Sequence, residues 1–330
     1  MADALNLVIN LLSAAVLAGT PLLFGTLGEI LTEKSGNLNL GVEGMMFMGG
    51  VAGIAGAYYY ELAAGAAASG VVAALIAVVC AFLCGMFGAL IYSFLTITLR
   101  ANQNVTGLTL TIFGTGFANF FGEHIAQNAA GGYAAVGDAT KAVFGGVHLP
   151  VLSDIPYVGK LLFSYNFMVY LGVAAALVLA WFFLRTRVGL NLRAVGENPA
   201  TADAAGINVT RYKYLATCIG GGICGVGGMY VVMVTCNGVW VHNCVNGLGW
   251  IAVALVIFAA WSPKRALLGS LVFGGLSILR LYVPLSIPMQ IYDMMPYAAT
   301  VLVLIVTSIR QSREKTQPAS CGLNYFREER

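Results

Sequence analysis

Few side chains in this sequence are of a type that could do chemistry, and they are scattered. Glu43, in "NLGVEGMM", opens a long apolar run. A charge at the centre of a bilayer costs about 3 kcal/mol, so a carboxylate there is a functional candidate by default. With Asn37 and Asn39 it could line a polar mouth, or it could bond backbone and hold a Gly-rich turn; the second reading is the stronger. Arg280, deep in another apolar run, reads as snorkelling to an interface or paired internally rather than as a ligand contact. Thr111, Thr115 and Asn119 recur at i, i+4 and i+8 and so share one helix face, with Asn104 close to the same stripe. Such a stripe suits a path for a polar, hydrogen-bonding solute, and it suits hydrogen bonds between helices equally well. Phe117, Phe120 and Phe121 could stack on a base, but aromatics at the end of an apolar segment usually mark an interface.

Other chemistries lack their parts. His124, His148 and His242 stand alone, no carboxylates are paired, and no nucleophile has a base at a matching spacing. The seven cysteines show no metal-ligand spacing: Cys80, Cys84, Cys218 and Cys224 sit in apolar runs, where Cys acts as a small hydrophobe. Cys236 and Cys244 share one loop and could pair if that loop faces an oxidising compartment. "GGGICG" at 220–225 satisfies G-x-G-x-x-G, but it lies inside an apolar segment rather than after a strand, so it is not a dinucleotide site. Gly221 and Gly225, one turn apart, instead offer a small face for helix packing. No G-x-x-x-x-G-K-[ST] phosphate loop occurs.

These residues are carried by an extremely apolar chain. Of 330 residues, 59% are hydrophobic and 9% charged, with a mean hydropathy of +0.83. Soluble domains hold roughly 25% charged residues, so the polar surface here cannot cover a water-soluble globule. The fold expected is an all-α integral membrane bundle, with the lipid bilayer as its solvent and no role for nucleic acid. A span needs about 20 apolar residues. Segments 9–31, 41–60, 71–99, 105–122, 166–184, 214–235, 248–262, 266–284 and 291–309 qualify, which gives nine spans, plus or minus one. The second and seventh are short or Gly-interrupted and read as broken or re-entrant. The opening "MADALN" lacks the basic stretch of a cleaved signal.

Lys and Arg set the orientation. If the N-terminus lies outside, the inside loops and tail hold 14 of the 17 basic residues. Among them are Lys34, Arg100, Arg193, Arg211, Lys213, Lys264, Arg265 and the tail residues Arg310, Arg313, Lys315, Arg327 and Arg330. Only Lys141 and Lys160 fall outside. The predicted topology is N-out, C-in, with one transmembrane domain over 1–312 and a cytoplasmic tail over 313–330. Within that domain, 123–165 is a long extracytoplasmic loop holding a short helix and 185–213 a cytoplasmic segment. A loop this long is usually functional, and docking of a binding protein is one use for it. Asn104-Val-Thr106 and Asn208-Val-Thr210 match the glycosylation acceptor but fall on the inside. The Gly/Asn-rich stretches "NLNLGVEG" and "NCVNGLGW" precede spans two and seven on opposite sides, which suggests inverted repeats.

The inside stretch "RAVGENPATADAAGINVTRYK" is a punctuated helix. Asn198 is an N-cap, Pro199 sits at N1 where no N–H is needed, and Gly206 is a left-handed C-cap. Isolated helices this short are unstable in water, so this one must be held against something. "LRAVGENPATADAAGINVTRYKYLA" resembles the coupling segment of ABC-importer permeases of the branched-chain amino acid, ribose and nucleoside type. "LTEKSGNLNLGVEGMMFMGG" (31–50) is similar to the early motif of their nucleoside branch. The resemblance extends from about residue 10 to 312. It implies a multi-pass cell-membrane subunit that forms half of a translocation path and does no catalysis itself. It also implies a second related permease, an extracytoplasmic solute-binding lipoprotein, and a separate ATPase that carries the ATP and magnesium, this chain having no cofactor. The ATPase contacts it implies here are Arg193, Glu197, Asn198, Pro199, Ala202, Asp203, Gly206 and Arg211. The alternatives are the same machine carrying a pentose or a branched-chain amino acid, and an ion-coupled transporter working alone.

Overall fold

The computed structural model describes residues 2–129, 131–147, 153, 155, 157–282, 288–309 and 317–327. Pro150, Pro156, His148 and the basic tail residues Arg310, Arg313, Lys315 and Arg330 lie outside them. Among the described residues there is no strand; a lone antiparallel bridge joins Ala135 and Val239. The described residues form a bundle of thirteen α-helices: α1 (Ala2–Glu33), α2 (Val42–Ala64), α3 (Gly70–Ser93), α4 (Gln103–Asn128), α5 (Asp138–Phe144), α6 (Val158–Leu162), α7 (Phe167–Arg185), α8 (Arg187–Glu197), α9 (Pro199–Ala204), α10 (Val209–Tyr230), α11 (Leu248–Phe258), α12 (Pro263–Tyr282) and α13 (Met289–Ile309). Helices α3 and α10 each widen into a π-turn at their C-terminal ends, over Phe94–Thr98 and Val231–Thr235.

Each of the nine apolar segments falls on a helix: α1 to α4, α7, and α10 to α13. Among the described residues five stretches are long and apolar enough to cross a membrane: Leu5–Glu33, Gly70–Thr98, Phe167–Arg185, Val209–Thr235 and Pro263–Tyr282. The second segment corrects one expectation, for α2 runs unbroken through its glycines for 23 residues. Those glycines serve close packing instead. The seventh is short, as expected: α11 has 11 residues. Its chain then turns through Ala260 and Trp261, both in the left-handed region.

Helix α10 is the axis of the bundle, packed against α1, α2 and α3. Apolar side chains gain nothing by leaving lipid for one another, so contact must come from close backbone approach. At Gly221 a methyl group would sit 2.3 Å from the Ala89 Cβ on α3, and at Gly225 it would sit 2.5 Å from the Ala81 carbonyl oxygen. From α2, a methyl at Gly49 would fall 2.2 Å from the Gly225 Cα. Gly225 is therefore the point where three helices meet. The outer helix faces remain apolar: Leu75, Val79, Leu83 and Phe87, spaced by four on α3, are all exposed. A stripe of this kind is at home in lipid or against another membrane helix.

The long loop carries the expected short helix, α5, and a second one, α6. Glu61, near the end of α2, anchors α5. Its carboxylate accepts from the Gly137 N–H at 2.8 Å and from the Thr140 hydroxyl at 2.5 Å. A carboxylate at a helix N-terminus is favoured by the unsatisfied N–H groups there.

Candidate functional site

The punctuation read from the sequence forms helix α9. The Asn198 side chain accepts from the Thr201 N–H at 3.0 Å, and Pro199 opens the helix. Gly206 closes it at φ +81°, with Gly206 N–H bonded to Asp203 O at 2.9 Å and Ile207 N–H to Ala202 O at 3.0 Å. Ala202 is buried with Val195 of α8 and Val209 of α10 in a small satellite core. It therefore holds α9 to the bundle rather than facing a partner, which corrects its expected place in the contact surface. Arg193, Glu197, Asn198, Gly206 and Arg211 are exposed around it.

The tail lies against this helix, a contact that the spacing of the residues does not reveal. The described tail, 317–327, folds back over α8 and α9. The Ser320 hydroxyl donates to Gly196 O at 2.5 Å, and the Ala319 N–H donates to the Glu197 carboxylate at 3.3 Å. The Tyr325 hydroxyl and the Arg327 Nε both meet the Asp203 carboxylate, at 2.9 and 3.1 Å. Asn324 donates to Arg100 O at 2.6 Å, and the Arg100 guanidinium lies 4.5 Å from the centre of the Phe326 ring. Two of the expected contact residues, Glu197 and Asp203, are thus engaged by the chain's own C-terminal segment.

Basic side chains gather at this end. One cavity is lined by Lys34, Arg193, Lys264 and Arg265, and a larger one by Arg100, Arg211, Lys213 and Arg327. Burial, reinforced by the nearby Arg193 guanidinium, pushes the Lys34 ammonium below its ordinary range. The opposite end carries α5, α6 and a 2.5 Å contact between the His242 Nδ1 and the Glu123 carboxylate. In the loop after α10, Cys236 and Cys244 are free but sulfur-to-sulfur neighbours. Their hydrogen bond lowers the Cys236 thiol to about 7, while the same bond and burial raise that of Cys244.

Within the bundle, Glu43 sits where two helix starts oppose. Its Oε1 accepts from the Gly247 N–H at 3.0 Å, just before α11, and a methyl on Gly249 would fall 2.4 Å from the Glu43 Cα. The two Gly/Asn-rich stretches thus meet at this carboxylate. The turn-holding reading accounts for Oε1. Among the described residues the buried Oε2 has no partner at full hydrogen-bond geometry, although the Trp250 N–H also faces this carboxylate. Asn37 and Asn39 are likewise tied down: Asn37 Nδ2 donates to the Thr217 hydroxyl at 3.1 Å, and Asn39 Oδ1 accepts from the Gly41 N–H at 2.9 Å. On α4, the Thr111 hydroxyl donates to Leu40 O at 3.0 Å, Thr115 to Thr111 O at 2.9 Å, and Asn119 Nδ2 to Asn243 Oδ1 at 2.7 Å. The stripe is committed to contacts within the chain, while Asn104 is exposed. Arg280 has a partner inside the protein.

Two acidic residues escaped notice in the sequence. Glu29 and Glu33, one turn apart on α1, are 0% and 3% exposed. Glu29 accepts from the Asn39 N–H at 3.0 Å and Glu33 from the Trp261 indole N–H, tying the end of α1 to the α1–α2 loop and to the turn after α11. The signal was present as "GEILTE", two carboxylates at i and i+4 in an apolar run. No group of metal-ligating side chains occurs among the described residues.

Known proteins share this pattern over nearly the whole chain. The profile of the family described as "Branched-chain amino acid transport system / permease component" matches residues 11–304. A Haloferax volcanii protein provisionally named as a glucose ABC transporter permease, TsgC13, is 39% identical, covering 82% of this chain and 77% of its own. The Bacillus subtilis guanosine ABC transporter permease NupQ is 31% identical, covering 92% of this chain and 93% of its own. The Lactococcus lactis nucleoside ABC transporter permease NupC is 30% identical, covering 93% and 94%. With its family profile spanning all but the ends, the chain belongs to this permease family and is a membrane-embedded subunit of an ABC transporter.

Proposed function

We propose that this subunit forms half of the translocation path of an importer for nucleosides, with its N-terminus outside and its C-terminus inside, in nine spans built as two inverted repeats. A separate ATPase docks on α9, a second related permease supplies the other half of the path, and a solute-binding lipoprotein delivers cargo to the loop over 123–165. The observation that carries the reading is α9 itself. It is capped at both ends, held through buried Ala202 and through the tail's contacts with Asp203, and placed at the end of the bundle where eight basic side chains line two cavities. Positive charge collects on the cytoplasmic side of membrane proteins, where the ATP is. ATP binding then shifts an equilibrium between inward- and outward-open forms, and α9 is the link.

Cargo recognition is assigned to Glu43. Its unpartnered oxygen, in a chain that satisfies most of its other buried polar atoms, accepts a hydrogen bond from a hydroxyl or N–H of the solute. Glu43→Gln replaces a carboxyl by an amide and is expected to lower uptake about tenfold or more. Insertion, read by membrane fractionation, stays intact. Unchanged uptake would remove Glu43 from the path.

A sugar is the second reading, favoured by the 39% identity to TsgC13. Nucleosides and sugars share a hydroxylated ring, so one carboxylate serves both. Uptake of labelled uridine, guanosine, glucose, ribose and leucine by cells expressing the whole transporter separates the two. Saturable uridine or guanosine uptake is expected. Glucose, ribose or leucine uptake without nucleoside uptake would reject the nucleoside assignment, and uptake by the isolated chain in ATP-free liposomes would reject the ABC mechanism.

A further inference from the structure

The larger basic cavity at the α9 end has features of a binding site in its own right. It encloses about 770 Å³ between the turn after α3, the start of α10 and the folded-back tail. Pockets of roughly 300–1,000 Å³ hold small metabolites. Four cations line it, Arg100, Arg211, Lys213 and Arg327, against a single carboxylate, Asp203, which Tyr325 and Arg327 already engage. Lys213 is only 3% exposed. Its ammonium lies beside Gly36, where an added methyl would come within 3.6 Å of it, and the other titratable group near it is the buried Cys321 thiol. No hydrogen bond or ion pair to Lys213 exists among the described residues. A buried charge without a partner is costly, and in a cavity wide enough for a solute the missing partner is an anion from outside the chain.

We propose that this cavity is a binding site for a phosphoryl anion, reached from the cytoplasm. Lys213 at its wall supplies a point charge, and Arg100 and Arg211 supply guanidinium forks that match phosphate oxygens. Gln103, Asn208 and Tyr214 line the same space and offer the amide and ring contacts that a base or sugar needs. A nucleoside 5′-monophosphate meets all these features, and it is what phosphorylation of an imported nucleoside would yield. The cytoplasmic side and this product relation rest on the reading given under Proposed function; the anion chemistry does not. Arg327 and Tyr325 reach the site from the tail, so an occupant would hold the tail against Asp203 and α9. Occupancy at this site would thereby bear on the surface assigned to the ATPase.

The test is calorimetric binding to the full-length chain in nanodiscs of zwitterionic lipid, with inorganic phosphate, uridine 5′-monophosphate and uridine as probes. Phosphate and the monophosphate are expected to bind, the monophosphate at least about tenfold tighter than uridine, and both to weaken as salt is raised. Lys213→Met is expected to lower monophosphate affinity about tenfold or more. Arg327→Gln, on the tail and clear of the packed bundle, is expected to lower it about threefold with folding intact, so the site is tested even if Lys213→Met misfolds. Loss of phosphate binding in nanodiscs containing an anionic phospholipid would support the site and identify a lipid headgroup as its occupant. No phosphate or monophosphate binding in zwitterionic nanodiscs, or binding unchanged in both variants, would overturn the proposal. So would intact phosphate binding in variants that no longer co-purify with the ATPase, since the cavity would then be a socket for that partner. Uridine uptake is measured separately, so failure of the nucleoside reading leaves the binding result standing.

Discussion

Gly206→Pro is expected to abolish association with the ATPase while leaving insertion and bundle packing intact. At position 206 the backbone stands at φ +81°, and proline fixes φ near −65°. Proline also removes the N–H that bonds to Asp203 O, in a helix of only 6 residues. A helix of two turns has no propagation energy in reserve, so losing its C-cap unravels it. A capping loss of about 1–2 kcal/mol corresponds to roughly a five- to thirtyfold drop in the formed helix. Co-purification of the tagged permease with the ATPase reads the outcome. Ala204→Trp provides the steric counterpart, because Ala204 is exposed on the helix that carries buried Ala202. It should block docking without touching the core. A bulky residue at position 202, by contrast, would overpack Val195 and Val209 and report on folding rather than on the interface. Retained ATPase binding in both Gly206→Pro and Ala204→Trp would remove α9 from the interface.

The second large effect is in the axis of the bundle. Gly225→Val is expected to prevent assembly of α10 with α2 and α3. Even a methyl there would stand 2.5 Å from the Ala81 carbonyl oxygen and 3.0 Å from the Gly85 Cα, and α2 presses Gly49 against the same residue. These obstacles are backbone atoms, which cannot swing aside. Overpacking costs typically 1–3 kcal/mol where side chains can adjust. Here two helices must separate, and the contacts of both are lost. Valine at Gly116 is the control, because nothing lies within 4 Å of a methyl there. Detergent-resistant monodisperse protein on size exclusion should survive in Gly116→Val and vanish in Gly225→Val. Equal yields would mean that the close approach at Gly225 contributes little.

Composition and local pattern made much of this protein legible in the sequence. With 9% charged residues the chain has nowhere to fold but a bilayer, and the apolar runs marked where helices form, five of them long and apolar enough among the described residues to cross a membrane. The caps of α9 were readable because they are local: Asn198 bonds three residues ahead, and Gly206 needs only its own backbone freedom. The same locality made Gly221 and Gly225 readable as a packing face, since one turn separates them. The partner helices on that face were not readable.

What the sequence by itself determined is therefore whatever a few neighbouring residues decide: element type, helix ends, and which segments prefer lipid. Only the tertiary structure decided which polar atoms are already spoken for. Asn37 and Asn39, like Thr111 and Asn119, looked available and are bonded to other parts of the chain, whereas Glu43 keeps one oxygen free between two helix starts separated by some 200 positions. Only folding brought the tail over Asp203 and set Arg100, Lys213 and Arg327 around one cavity. Hydrogen bonds and charges act over a few ångströms of space, and sequence spacing reports that distance only within a turn or two of helix.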